Sequence, residues 1–123
     1  MYLALKHLME KYHANSVTVD CLAGIRENKL PIAPCLALSI FNDMGIPATC
    51  EADIETMIAN ILIHYLTGRP GFQGDPVIDE KNNILIVAHC TSPSKIYEFN
   101  GAAEKLSPEE IFPLFLKMLS LCI

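Results

Sequence analysis

Three side chains of types that bind metal ions each follow a short apolar run of this chain. Glu51 comes directly after "IPATC", Asp75 closes "GFQGD", and His89 closes "NILIVAH". If these runs are strands of a parallel sheet, the three side chains share the edge where ligands bind, at the carboxyl ends of the strands. Oxygen-rich ligand sets suit Mg²⁺ or Mn²⁺, and an imidazole favours a transition metal. The pattern predicts a divalent-metal site formed by Glu51, Asp75 and His89.

The same residues have alternative roles. Two carboxylates could carry out general acid–base catalysis without a metal if their pKa values differed. Glu51 and Asp53 could instead stabilise the positive end of a helix dipole, and Asp75 could be an ordinary turn residue. Adjacent residues of a strand point to opposite faces. For that reason His89 and Cys90 are expected not to meet, which excludes a Cys/His nucleophile.

The elements that would position these residues alternate between helices and short strands. Apolar residues at period 3.6 predict helices near residues 5–12 and 54–65, the second with Asp53 as its N-cap and Gly68 as its end. The β-branched "SVTVD" predicts a strand, "CLAGIRENKLPIAP" a long loop, and "PCLALSIFNDMG" a helix. The capping box "SPEE" predicts a C-terminal helix over about 107–121.

This alternation predicts a single α/β domain over residues 1–123. We expect a small three-layer sheet of mostly parallel strands with helices on both faces, as in part of a Rossmann fold. The net charge of −5 argues against nucleic-acid binding. No apolar run reaches the roughly 18 residues of a membrane span. Five scattered cysteines without a secretion signal are expected to be reduced thiols in the cytoplasm.

The stretch "GIPATCEADIETMIANILIHYLTGRPGFQGD", followed by "NNILIVAHCTSP", resembles the central part of L-fucose isomerase and its shorter relatives. The shared features are an acidic start of the type C/T-E-x-D, a helix that ends in L-T/S-G, and an Asp after a short strand. Glu51 and Asp75 are 24 positions apart, which is the interval of the family. The resemblance covers residues of about 15–93 and implies the middle, metal-binding domain of that family.

The resemblance implies aldose–ketose isomerisation of a monosaccharide through a metal-assisted ene-diol. Residues that match Glu51 and Asp75 bind Mn²⁺ in the family, with Mg²⁺ as a second possibility here, and are its candidate acid–base groups. The family's N-terminal region and its C-terminal β-rich domain, which supplies a third histidine ligand, have no counterpart in this sequence. We therefore expect a homo-oligomer or a partner chain to complete the site, and an isolated chain that is inactive. The alternative is a non-catalytic, truncated relative that serves as an assembly or small-molecule-binding module.

Overall fold

The computed structural model describes residues 1–96, so the helix expected near 107–121 lies outside the described residues. The described part is a mixed α/β structure with two small sheets. None of its helices is long and apolar enough to cross a membrane. In chain order its elements are α1 (Tyr2–Tyr12), β1 (Val17–Val19), α2 (Cys21–Arg26), α3 (Cys35–Asp43), β2 (Ala48–Cys50), α4 (Ile54–Thr67), β3 (Asp75–Asp79) and β4 (Ile84–Ala88).

The core forms around the parallel pair of β1 and β2. Val17 pairs with Ala48 and Val19 with Cys50, and every residue of β2 is buried. The apolar faces of α1 and α3 cover this pair because their period-3.6 side chains need a surface on which to exclude water. The buried core consists of Leu5, Met9, Cys21, Ala37, Leu38, Phe41, Ala48 and Cys50.

Side-chain amides pair with the backbone of β2 at Ala48 and Cys50. Asn42 donates through Nδ2 to the Ala48 carbonyl at 2.8 Å and accepts from the Ala48 amide at 2.9 Å. Gln73 accepts from the Cys50 amide at 2.8 Å and donates to the Cys50 carbonyl at 3.5 Å. Alternate residues of a strand direct their backbone groups to the same edge, so these amides occupy the edge away from β1. The described strands form one parallel and one antiparallel pair, so a three-layer sheet of mostly parallel strands is not confirmed among residues 1–96. Residues 71–74 of "GFQGD" are not part of a strand.

The second sheet is an antiparallel hairpin of β3 and β4 in which Asp75 pairs with Ala88. This corrects the expectation that Asp75 ends a strand, because it begins one. The turn between the strands is closed by Asp79, whose carboxylate accepts from the Asn82 amide at 3.1 Å and from its Nδ2 at 2.8 Å. Residues 76–79 belong to strand β3 and not to the turn.

The helix α4 confirms both predicted ends. Asp53 accepts from the Thr56 amide at 2.9 Å, and Gly68 adopts a left-handed φ of 64°. Only Met57 and Asn60 of this helix are buried, so most of the apolar residues whose period predicted the helix do not face the core. Five large apolar side chains of α4 are more than half exposed: Ile54, Ile58, Leu62, Tyr65 and Leu66.

The predicted loop "CLAGIRENKLPIAP" contains a short helix that the sequence reading missed. Asp20 accepts from the Ala23 amide at 3.1 Å and starts α2. At the other end the chain turns back, and the amides of Lys29 and Leu30 both donate to the Gly24 carbonyl. Gly24 also faces the Leu30 side chain, which leaves no room for a Cβ. A helix of six residues has fewer than two turns, which is too short for an apolar period to be recognised in the sequence.

Candidate metal centre

Glu51 lies in a constrained turn at the carboxyl end of β2. Its φ is 64° and that of Ala52 is 53°, a left-handed conformation that costs a non-glycine residue roughly 1–2 kcal/mol. Backbone bonds hold the turn in place: the Ala52 amide donates to the Val19 carbonyl at 3.2 Å, and the Asp53 amide donates to the Cys50 carbonyl at 3.2 Å. Backbone strain of this kind persists where the surroundings impose it, and it concentrates at functional sites.

Gln73 brings the second carboxylate to the same place. Its two hydrogen bonds to the Cys50 backbone tie the segment before β3 to the end of β2, and the side chain is buried. Asp75 follows two residues later and starts β3. Glu51 is the next residue after Cys50, so one glutamine amide sets the distance between the two acids. Sequence reasoning missed Gln73 because an amide that replaces a strand partner has no local signature.

The hairpin register places His89 beside Asp75. Asp75 pairs with Ala88, and His89 is the next residue along. The His89 Nε2 atom lies 3.8 Å from Asp75 Oδ2; the imidazole is only 3% exposed, whereas the carboxylate is 72% exposed. The sequence argument expected these residues at the carboxyl ends of parallel strands. The structure instead joins them across an antiparallel pair.

The ligand atoms of Glu51, Asp75 and His89 all lie within 4.8 Å of one another. The two carboxylates are accessible to solvent, and the imidazole closes the inner side of the group. Such a Glu/Asp/His group could hold a metal ion, with the positions on the solvent side left for water or substrate. Their roles as ligands and as acid–base groups stay predictions.

Thr91 fixes the orientation of the imidazole. Its Oγ1 atom lies 2.9 Å from His89 Nδ1, and Thr91 is itself only 2% exposed. In the tautomer that binds a metal through Nε2, the Nδ1–H group donates to this hydroxyl oxygen. Partners of that kind raise the basicity of a ligating histidine and hold its ring. The sequence offered no sign of this role, since it depends on how the chain turns after β4.

Cys90 approaches His89 more closely than expected. The Cys90 Sγ atom lies 3.9 Å from His89 Nδ1, so the prediction that the two side chains do not meet is wrong. The reason is that β4 ends at Ala88, and the alternation of a strand does not extend to these two residues.

A cleft of about 220 Å³ lies elsewhere, beside the residues that precede β1 and β2. Asn15, Ile46, His64 and Tyr65 are among the residues that line it, and none of its described lining residues is Asp or Glu. It offers no carboxylate for metal binding or proton transfer. The group at the other end of β2 is therefore the better candidate site.

Comparison with known proteins finds three curated relatives, all named sulfoquinovose isomerase. Those of Priestia aryabhattai and Priestia megaterium are each 37% identical to this chain over 87 residues, which cover 65% of this chain and 19% of the relative. That of a Clostridium species (strain MSTE9) is 39% identical over 57 residues, which cover 46% of this chain and 13% of the relative. No family model matches the chain, and no solved structure matches it. The chain spans about a fifth of the length of the two Priestia relatives.

Proposed function

We propose that this chain carries part of the metal centre of a sugar isomerase, an enzyme of carbohydrate metabolism that interconverts an aldose and a ketose. The observation that carries the proposal is the convergence of Glu51, Asp75 and His89 within 4.8 Å. The relatives named sulfoquinovose isomerase support the same class of reaction. The substrate we propose is a monosaccharide; the family resemblance favours L-fucose, and the relatives' names favour sulfoquinovose.

The two carboxylates and the imidazole would hold the cation. We propose Mn²⁺, with Mg²⁺ as the alternative, because the set is oxygen-rich and includes one nitrogen. When bound, the cation would lower the pKa of a sugar hydroxyl and stabilise charge on the neighbouring carbonyl oxygen. Buried His89, held by Thr91, is the fixed ligand. Glu51 and Asp75 face solvent, where either can take a proton from one sugar carbon and return it to the next.

The solvent side of the site needs a cover for catalysis. Asp75 is 72% exposed, so water reaches the acids freely in the described part of the chain. Reactive intermediates such as an ene-diol need a site that excludes water. We therefore propose that a second copy of the chain or a partner polypeptide completes the pocket. The isolated chain is expected to bind the ion but to show no measurable aldose–ketose turnover.

Metal binding is the direct test of the site. Addition of Mn²⁺ to the metal-free protein should raise its melting temperature, because a ligand that binds only the folded state stabilises it. The shift should disappear in Asp75→Asn and in Glu51→Gln. Glu80→Gln is the matched control, since it removes one exposed acid from the same hairpin and should keep the shift. An equal loss of the shift in Glu80→Gln would show that general acidity, rather than this site, binds Mn²⁺.

The second candidate function is a non-catalytic assembly module, and the hairpin favours it. Val77 and Ile78 are consecutive residues of β3 and point to opposite faces, yet they are 50% and 73% exposed. On β4, Leu85 and Ile86 are 63% and 47% exposed. Apolar patches of this kind mark protein–protein contacts. As far as residues 1–96 show, both faces of the hairpin are thus open to a partner.

Light scattering coupled to gel filtration tests the assembly module. If the hairpin assembles the chain, Ile78→Lys should reduce its oligomeric mass, and Leu36→Lys should not. Leu36 is the matched control because it is an apolar side chain that is similarly exposed, at 72%, but belongs to α3 and not to the hairpin. A monomer that shows the Mn²⁺ shift would favour the metal centre alone, and an oligomer without that shift would favour the module.

A further inference from the structure

Four cysteines that are far apart in the sequence come together beside the core. Cys21 is the first residue of α2, Cys35 is the first residue of α3, Cys50 ends β2, and Cys90 follows β4. None of the four is in a disulfide. The four residues lie in separate parts of the chain, so no short sequence motif predicts the group.

Cys50 is the centre of the group. Its Sγ atom lies 2.7 Å from that of Cys21, within about 0.7 Å of the length of a disulfide bond. It also has thiol hydrogen bonds with Cys35 and Cys90, and Cys35 has one with Cys90. The register of the parallel pair explains the closest contact, because Cys50 pairs with Val19 and Cys21 follows two residues later.

The four thiols differ in their access to solvent. Cys21 is 5% exposed and Cys50 is fully buried, whereas Cys35 and Cys90 are partly exposed. Hydrogen bonds with the thiols of Cys50 and Cys90 lower the pKa of Cys35, and the same contacts together with burial raise the pKa of Cys50, so the thiolate of the group is on Cys35. The position of Cys35 at the start of a nine-residue helix favours its thiolate in the same direction. Cys35 and Cys90 are therefore the members of the group that lie nearest to solvent, while the closest pair, Cys21 and Cys50, is buried.

We propose that these cysteines form a redox site that a hydroperoxide oxidises to a buried Cys21–Cys50 disulfide. The Cys35 thiolate attacks the peroxide, so an S–O bond forms, the O–O bond breaks and hydroxide leaves. Cys50 then attacks the sulfenic sulfur of Cys35; an S–S bond forms, the S–O bond breaks, and the oxygen leaves as water with the Cys50 proton.

The last step moves the disulfide inward. Cys21 attacks the Cys50 sulfur, the Cys21–Cys50 bond forms, and Cys35 leaves as a thiolate. The proton that Cys21 loses neutralises the hydroxide of the first step. In sum, hydrogen peroxide and two thiols give one disulfide and two waters. The product joins the first residue of α2 to the end of β2, next to Glu51.

Disulfide mapping of the oxidised full chain tests this proposal. The Cys122→Ser variant, fully reduced, would be treated with hydrogen peroxide and digested with trypsin and an Asp-specific protease under non-reducing conditions. Mass spectrometry should find the Cys21 peptide linked to the Cys50 peptide, and dithiothreitol should release both. A chain that shows only a Cys35–Cys90 link, only sulfinic acid, or four unmodified thiols would overturn the proposal.

The order of the steps is tested by rate. In Cys35→Ser the Cys21–Cys50 link should form at least about tenfold more slowly, because the accessible thiolate is gone. Ser39→Ala is the matched control: it alters a partly buried side chain of the same helix and leaves all four thiols. An unchanged rate in Cys35→Ser would refute Cys35 as the point of entry. The mapping experiment leaves all four thiols of the group in place, so it requires no substitution within the group.

Discussion

Gln73 is predicted to position the metal centre, and its replacement by leucine measures that role. The change keeps the bulk of a buried side chain but removes both bonds to the Cys50 backbone. The Cys50 amide then has no acceptor, and a buried unsatisfied donor costs about 1–3 kcal/mol. For a chain of 123 residues each kcal/mol lowers Tm by about 4 °C. Loss of a residue that orients metal ligands weakens metal affinity by about 10–100-fold.

The assay compares two variants, each of which replaces a buried side-chain amide at the edge of β2 with leucine. Asn42→Leu removes the equivalent pair of amide bonds from Ala48 at the other end of β2, where no acid of the site lies. Both variants should lose similar stability in urea unfolding. Only Gln73→Leu should lose Mn²⁺ affinity in calorimetric titration. If Asn42→Leu weakens Mn²⁺ binding as much as Gln73→Leu, the loss reflects general destabilisation and the positioning role is refuted.

Two further predictions concern the turn that carries Glu51. Ala52→Gly should raise the free energy of unfolding by about 0.5–1 kcal/mol, because the φ of 53° is strained for alanine and free for glycine; urea unfolding measures it, and a loss of stability would contradict the strain. Hydrogen bonds from the Thr56 side chain and amide lower the pKa of Asp53. A carboxyl with a lower pKa in the folded state stabilises the protein above its unfolded pKa, and that stabilisation is lost as the pH falls through the folded value. Asp53→Asn should therefore flatten the acid side of the Tm profile, and an unchanged profile would refute this contribution.

The sequence predicted that Glu51, Asp75 and His89 lie together, and they do, although the strands that were assumed to position them are only partly present. The three ligand candidates each follow an apolar run, and the sequence placed them on one edge for that reason. One of the assumed strands differs from the expectation, since residues 71–74 of "GFQGD" are irregular and its last residue, Asp75, opens a hairpin. Asp75 and His89 still meet, because an antiparallel register brings the start of one strand beside the end of the next.

Local chemistry is what the sequence by itself determined. The cap at Asp53, the end of α4 at Gly68 and the helical periodicity of α1 depend on residues within one or two turns, and the structure confirms them. The sequence also identified the acids and the imidazole as the residue types from which a metal centre can be built. Their roles await the Mn²⁺ experiments.

Contacts between distant residues were decided only by the tertiary structure. Gln73 and Asn42 replace a third strand on β2, and four cysteines from four elements meet around Cys50. Tertiary packing also decides which apolar side chains of α4 are buried and which stay exposed to solvent. Each of these depends on the packing of elements that lie tens of residues apart, and neither periodicity nor a short motif carries that information. The physical reason is that local backbone preferences select helices and strands, whereas burial and hydrogen-bond satisfaction select how those elements meet.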